Sequence, residues 1–204
     1  MCIRDSNGPS TNSNAVGIEL DNAGFALALI YGADAHTYYG LQATAGSLSA
    51  IGLPAGFNLS GSNLYVAING SNNSNTVVDF DTSFTNHGAS GSGPSANGLL
   101  ISTGGGNSVT LDFTTQLVQV YGGISLQFGS YIGISGGFDY TQTSGTVTNI
   151  VLGSGAYTGA SDLVFTLGTG SSTLFTASGS LNMTITAGTT TINSATLSLS
   201  LIHI

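Results

Sequence analysis

In run after run along this chain every second residue is apolar, and that rhythm leaves few ways to fold. Val16, Ile18 and Leu20 alternate with Gly17 and Glu19; Phe25, Leu27, Leu29 and Tyr31 follow, then Tyr39, Leu41, Ala43 and Ala45. The longest run is central. Val118, Val120, Gly122, Ile124, Leu126 and Phe128 alternate with Gln119, Tyr121, Gly123, Ser125 and Gln127, and Ile132, Ile134, Gly136, Phe138 and Tyr140 resume the pattern after Gly129-Ser130-Tyr131. Successive strand side chains point to opposite faces, so a period of two gives a strand with one apolar face, whereas a helix needs a period near 3.6. Two such runs about a short glycine-containing turn predict an antiparallel hairpin. Leu163, Phe165 and Leu167, then Leu181, Met183 and Ile185, then Ala195 and Leu197 predict later strands, whose other face is mostly Thr, Ser and Asn. Thr suits a pleated surface because its branched Cβ packs well there. Phe25–Tyr31 is rich in Ala and Leu, but it is short and bracketed by Gly24 and Gly32, so it too is expected to be a strand.

Charge is the second constraint. Only 5% of residues are charged, with nine acids, one base and a net charge of −8; an ordinary globular chain is about 25% charged. Apolar residues make up 41%, and they are patterned, which favours a folded core over a solvated tail. Nucleic-acid binding rests on Lys and Arg neutralising phosphate, so a single base argues against that function, and equally against anionic lipid. No run of 18 or more apolar residues occurs.

The two ends resemble each other in an unexpected way. Met1-Cys2-Ile3-Arg4-Asp5-Ser6 looks like a translation of ATG TGT ATA AGA GAC AG, most of the mosaic-end element of transposase-made sequencing libraries. Leu199-Ser200-Leu201-Ile202-His203-Ile204 looks like its reverse complement, CTG TCT CTT ATA CAC ATC. The expectation is that residues 1–6 and 199–204 are adapter-derived and that 7–198 is a natural β-rich segment of a longer protein. Cys2 and Arg4 then fall outside it. The remaining segment has no Lys, Arg, Cys or Trp, and its acids are Glu19, Asp21, Asp34, Asp79, Asp81, Asp112, Asp139 and Asp162. Without Cys it has no disulfide framework and no thiol chemistry.

Residues 69–75 and 82–98, rich in Asn, Ser and Gly, are expected to be loop excursions flanking a short strand at Val77–Phe80. Gly46-Ser47-Leu48-Ser49, Gly123-Ile124-Ser125-Leu126 and Gly179-Ser180-Leu181-Asn182 echo one another, each expected to begin a strand of a repeated strand–turn–strand module.

The blocks Phe25-Ala26-Leu27-Ala28-Leu29, Thr37-Tyr38-Tyr39-Gly40-Leu41-Gln42-Ala43-Thr44-Ala45, Leu59-Ser60-Gly61, Val77-Val78-Asp79-Phe80, Val109-Thr110-Leu111-Asp112-Phe113 and Ile134-Ser135-Gly136-Gly137-Phe138 resemble the long tandem repeats of giant bacterial proteins described as adhesin-like or haemolysin-type calcium-binding. The resemblance runs from about Val16 to Tyr140. It implies an exported, repetitive, surface-linked protein, and it brings no catalytic residues.

Gly133-Ile134-Ser135-Gly136-Gly137 fits the nucleophile-elbow pattern, but that chemistry needs a sharp strand-to-helix turn and a nearby His. Ser135 sits inside an alternating strand, and His36 and His87 lie in loop-like settings, so a plain strand serine is expected. Asp79 and Asp81, two apart on the expected strand, would face the same side roughly 6–7 Å apart. With Asp112 as a third, they are the candidates for holding calcium, a hard cation that favours oxygen ligands, or for paired-carboxylate glycoside hydrolysis; the plainer reading is solvated aspartate beside Val78 and Phe80. The calcium nonapeptide is absent, and Gly104-Gly105-Gly106-Asn107-Ser108 reads as a tight turn. Tyr38, Tyr39, Tyr121, Tyr131 and Tyr140 could stack against a sugar or simply pack. No phosphate loop and no zinc spacing occurs.

The expected architecture is therefore all-β, an elongated antiparallel meander or solenoid-like repeat sheet. The expected role is a non-catalytic spacer or stalk repeat of a bacterial surface or secreted protein, contacting neighbouring repeats of its own chain, with no required cofactor. A calcium- or glycan-binding module with a cell-surface partner is the first alternative. An outer-membrane barrel, which also alternates, is the second, disfavoured by the missing Trp, the lack of lumen charges and uneven strand lengths.

Overall fold

The structure, a computed structural model, describes residues 14–73, 76–84, 97–104, 106–144 and 147–201. The long runs form strands β1 (Gly17–Asp21), β2 (Gly24–Tyr31), β3 (Thr37–Ile51), β4 (Phe57–Ser71), β7 (Leu117–Phe128), β8 (Ile132–Thr143), β9 (Val147–Leu152), β10 (Leu163–Gly168), β11 (Thr173–Thr186) and β12 (Thr189–Leu201). These make one ten-stranded antiparallel sheet in the order β1-β3-β4-β7-β8-β10-β11-β12, with β2 beside the other half of β3 and β9 beside the other halves of β8 and β11. A short hairpin, β5 (Leu99–Gly104) and β6 (Asn107–Leu111), and one helical turn, α1 (Phe80–Ser83), lie in the excursion between β4 and β7.

The register carries the alternation across the whole sheet. Phe25, Ala43, Val66, Val120, Tyr140, Ile150, Met183 and Ile192 are successive cross-strand partners, an unbroken row over all eight strand columns. Leu59, Leu126, Ile134, Phe165, Ala177 and Leu199 form a second row on the same face. We call this the front. On the back, Glu19, Ser49, Ser60, Ser125, Ser135, Val164, Ser178 and Ser198 are successive partners. The β7–β8 hairpin has the expected faces: Leu126 pairs with Ile134 and Phe128 with Ile132, while Gln127 pairs with Gly133 on the other side.

The core sits on the back, where the excursion folds over β2, β3 and β4. Ala26, Ala28, Ala67, Phe80, Leu111 and Phe113 form it. In β2 the small alanines are therefore covered, and Phe25, Leu27 and Leu29 stand on the open front. Phe80 fits because β3 has glycine beneath it: a Cβ on Gly40 would lie 2.6 Å from the Phe80 ring. Asn69, also buried, donates from Nδ2 to the carbonyls of Val78 and Thr115 at 2.9 Å each, tying both ends of the excursion to β4.

Three expectations need correction. Residues 69–71 are the end of β4, not loop. Val77–Phe80 is not a strand: residues 76–79 are irregular, and Phe80 opens α1 because the Asp79 carboxylate accepts from the Thr82 N–H at 3.0 Å, an N-cap. The echoed glycines Gly46, Gly123 and Gly179 lie inside β3, β7 and β11, not at strand starts. They fall near the seam where β1 gives way to β2 and β10 to β9 along their neighbours. On that seam Gly136 has φ +149° and packs against Leu163, whose Cα would be 2.6 Å from an added Cβ, so only glycine fits. β12 continues through Leu201, with Leu199, Ser200 and Leu201 paired with β11; this pairing leaves the adapter reading of the two ends as it stood, and residues 1–6 and 202–204 lie outside the described residues.

Candidate functional site

Polar groups gather on the back of the sheet, beside the covered core. Tyr65 of β4 and Tyr121 of β7 are cross-strand partners, and their rings stack at 4.6 Å with a 14° interplanar angle. Tyr157, in the turn after β9, continues the stack on Tyr121 at 5.7 Å and 19°. That turn is anchored over glycines, with Gly153 N–H donating to Gly137 at 2.7 Å and Gly137 N–H donating to Ser161 at 3.1 Å. Ala156 is buried beneath it.

Two cavities share Tyr157. One, about 410 Å³, is lined by Thr44, Asn63, Tyr65, Tyr121, Tyr157 and Thr158 among others. The other, about 220 Å³, is lined by Ser60, Ser62, Ser125, Ser135, Ser161 and Tyr157 with intervening glycines. Both are shallow and carry hydroxyls and ring edges. Beside the stack, Asp139 accepts from Thr141 Oγ1 at 3.0 Å and from Gln119 Nε2 at 3.5 Å. Burial raises its carboxyl pKa, and those two hydrogen bonds pull it only partly back. Burial also raises the phenols of Tyr65 and Tyr121, helped at Tyr65 by Tyr121 and Asp112 and at Tyr121 by Asp139.

The carboxylates singled out from the sequence do not form a metal centre. Asp79 is engaged in capping α1, Asp81 lies in its first turn, and Asp112 is exposed just after β6. The strand that was to align Asp79 with Asp81 is absent, and among the described residues no group of three His, Cys, Asp or Glu side chains is placed to hold a metal. Ser135 lies within β8 opposite Ser125 and Val164, and the strand continues to Thr143 with no helix after it. His87 lies outside the described residues.

His36 is at the β2–β3 turn with Asp34 and Tyr38. The Tyr38 hydroxyl donates to Asp34 Oδ2 at 2.6 Å, the His36 backbone N–H donates to Oδ1 at 3.2 Å, and His36 Nδ1 lies 3.3 Å from Oδ2. The Tyr38 hydroxyl, then the His36 N–H, hold the Asp34 carboxyl below its ordinary value. The cluster is exposed and staples the turn, together with the Gly32 N–H to His36 carbonyl bond at 2.8 Å.

Of the tyrosines read from the sequence, only Tyr121 joins the stack; Tyr39, Tyr131 and Tyr140 lie elsewhere. Tyr65 and Tyr157 were missed. Tyr65 becomes legible only once the bulge between Ser62 and Tyr65 is known, because that bulge shifts its face. Tyr157 lies in a Gly- and Ser-rich turn with no periodic signal. No protein-family model, no curated protein and no solved structure matches this chain.

Proposed function

We propose that this chain is a structural module, a spacer or stalk repeat of a large bacterial surface or secreted protein of adhesin-like type, whose sheet is continued edge to edge by neighbouring repeats. One observation carries the reading: the sheet ends on a long, open edge. β12 is thirteen residues long, exposed at every residue, and contains no charge and no proline. Soluble proteins usually blunt such an edge with lysine, proline or short strands, because its unpaired N–H and C=O groups template another strand. An edge left open over this length suits a chain whose next unit pairs there. The resemblance of the Val16–Tyr140 blocks to tandem repeats of exported proteins supports the extracellular or cell-surface location. The reading assigns no catalytic residue, and a chain with one Arg and no Lys gives no grip on nucleic acid or anionic lipid.

The test joins two copies of the chain in tandem and follows amide exchange in β12. Edge pairing predicts that β12 amides not bonded to β11 exchange fast in the single chain and at least tenfold more slowly in the first unit of the tandem. Equal rates in both would overturn the proposal.

A second reading is favoured by the tyrosine stack. Tyrosine faces and hydroxyls without charge suit a neutral oligosaccharide. Binding to a panel of neutral glycans that is lost in Tyr157→Ala, with the fold unchanged, would establish it; an empty panel would dismiss it. Among the described residues, no grouping of carboxylates favours calcium.

A further inference from the structure

Among the described residues, no element covers the front of the sheet. Phe25 is 56% exposed, Leu29 55%, Ile192 64% and Leu197 73%, and Ile124, Phe128, Ile132, Ile134, Phe165 and Leu167 are each more than a third exposed. These side chains are one continuous surface, because the cross-strand rows join them from β2 to β12. Monomeric proteins rarely expose an apolar patch beyond a few hundred Å².

We infer that the front is a self-association surface, and that its occupant is the front of a second copy of this chain, packed sheet on sheet. This stands on the front face alone and does not depend on the stalk reading. Area is the first argument. Eight strand columns about 4.8 Å apart and about 12 residues long span about 38 by 40 Å. That is about 1,500 Å² per copy and about 3,000 Å² for the pair, within the obligate homodimer range of about 2,000–5,000 Å². Charge is the second. Glu19, Asp21 and Asp139 alternate onto the back, Asp81 lies in α1, and Asp34, Asp79, Asp112 and Asp162 lie in turns and loops, so among the described residues no carboxylate enters the interface despite a net charge of −8. Shape is the third. A broad, twisted, uncharged sheet face is matched in width and length by another of the same kind, and two such faces pack about 10 Å apart at about −30°. A two-fold axis through the front makes the contact self-complementary and closes it at two copies. Lipid is the poorer cover, because backbone groups in a bilayer must all be paired, and β12 offers an open edge.

Sedimentation equilibrium on the full chain at micromolar concentration tests this. The expected species has twice the 20.4 kDa chain mass. Ile134→Asp or Phe165→Asp on the front should shift it to monomer, while Ser135→Asp on the back should leave it a dimer. Because a front aspartate could unfold the chain, thiol labelling is the companion measurement. In a Cys2→Ser background, Ile134→Cys should react with maleimide at least tenfold more slowly than Ser135→Cys, and dilution should speed only the former. A chain that stays monomeric, forms open-ended polymers, loses association equally from both faces, labels equally at both positions, or gains front protection only with phosphatidylcholine vesicles would overturn the inference.

Discussion

Asn69 shows how one side chain fixes the excursion that covers the core of this molecule. It is 1% exposed, and both its amide hydrogens are committed to carbonyls at the two ends of the excursion. Its Oδ1 is buried without a hydrogen-bond partner, so the site is built to donate. Asn69→Ala leaves two carbonyls unanswered and should cost about 1–3 kcal/mol in urea unfolding. Asn69→Asp sets a buried carboxylate against two carbonyl oxygens and should cost more than Asn69→Ala at neutral pH. Asp139 makes the opposite case. Its pKa is raised in the folded chain by burial. Folding therefore favours the protonated form, and this contribution to stability grows as pH falls from neutral through the folded value, then levels below the unfolded value near 3.9. Asp139→Asn should raise the melting temperature at pH 7 and remove that part of the pH dependence. A variant that is less stable than the wild type at pH 7 would show that the carboxylate is needed.

At the level of elements, the hairpin gives the sharpest contrast. Leu126 lies on the front between Leu59 and Ile134, whereas its neighbour Gln127 is exposed on the back between Asn58 and Gly133. Leu126→Asp should destabilise by about 2 kcal/mol or more, through lost apolar burial and a charge placed among apolar neighbours. Gln127→Asp should stay within about 0.5 kcal/mol; similar losses from both would mean the faces are wrongly assigned. This hairpin was legible because a long alternation and a Gly129-containing turn agree. Val77–Phe80 was not, because four residues are too few for a period to separate strand from helical turn. The decisive signal there was local, an Asp three residues before Thr82, which is an N-cap pattern. In β2 the alternation divided the residues into two faces correctly but could not say which face is covered: the excursion lies on the alanine side, a long-range fact. The tyrosine stack was hidden for the same kind of reason, since register and bulges are set by the partner strand.

For the whole molecule, the chemistry of the two faces decides everything else. A sheet with a hydroxyl row behind and an aliphatic row in front can close on itself as a barrel, be covered by a second sheet, or be extended at its edges. The strand order shows the open form, with β1 and β2 at one margin and β12 at the other. Openness gives the front its breadth and leaves β12 available, so both the edge pairing and the face packing depend on it. Spin labels at Leu20 of β1 and Leu199 of β12, in a Cys2→Ser chain diluted with unlabelled protein, measure it directly by double electron–electron resonance. Seven strand spacings separate the two positions, so the open sheet predicts a distance of about 34 Å, shortened somewhat by twist; a distance near 10 Å or less would mean that the margins meet in a closed barrel and would contradict it.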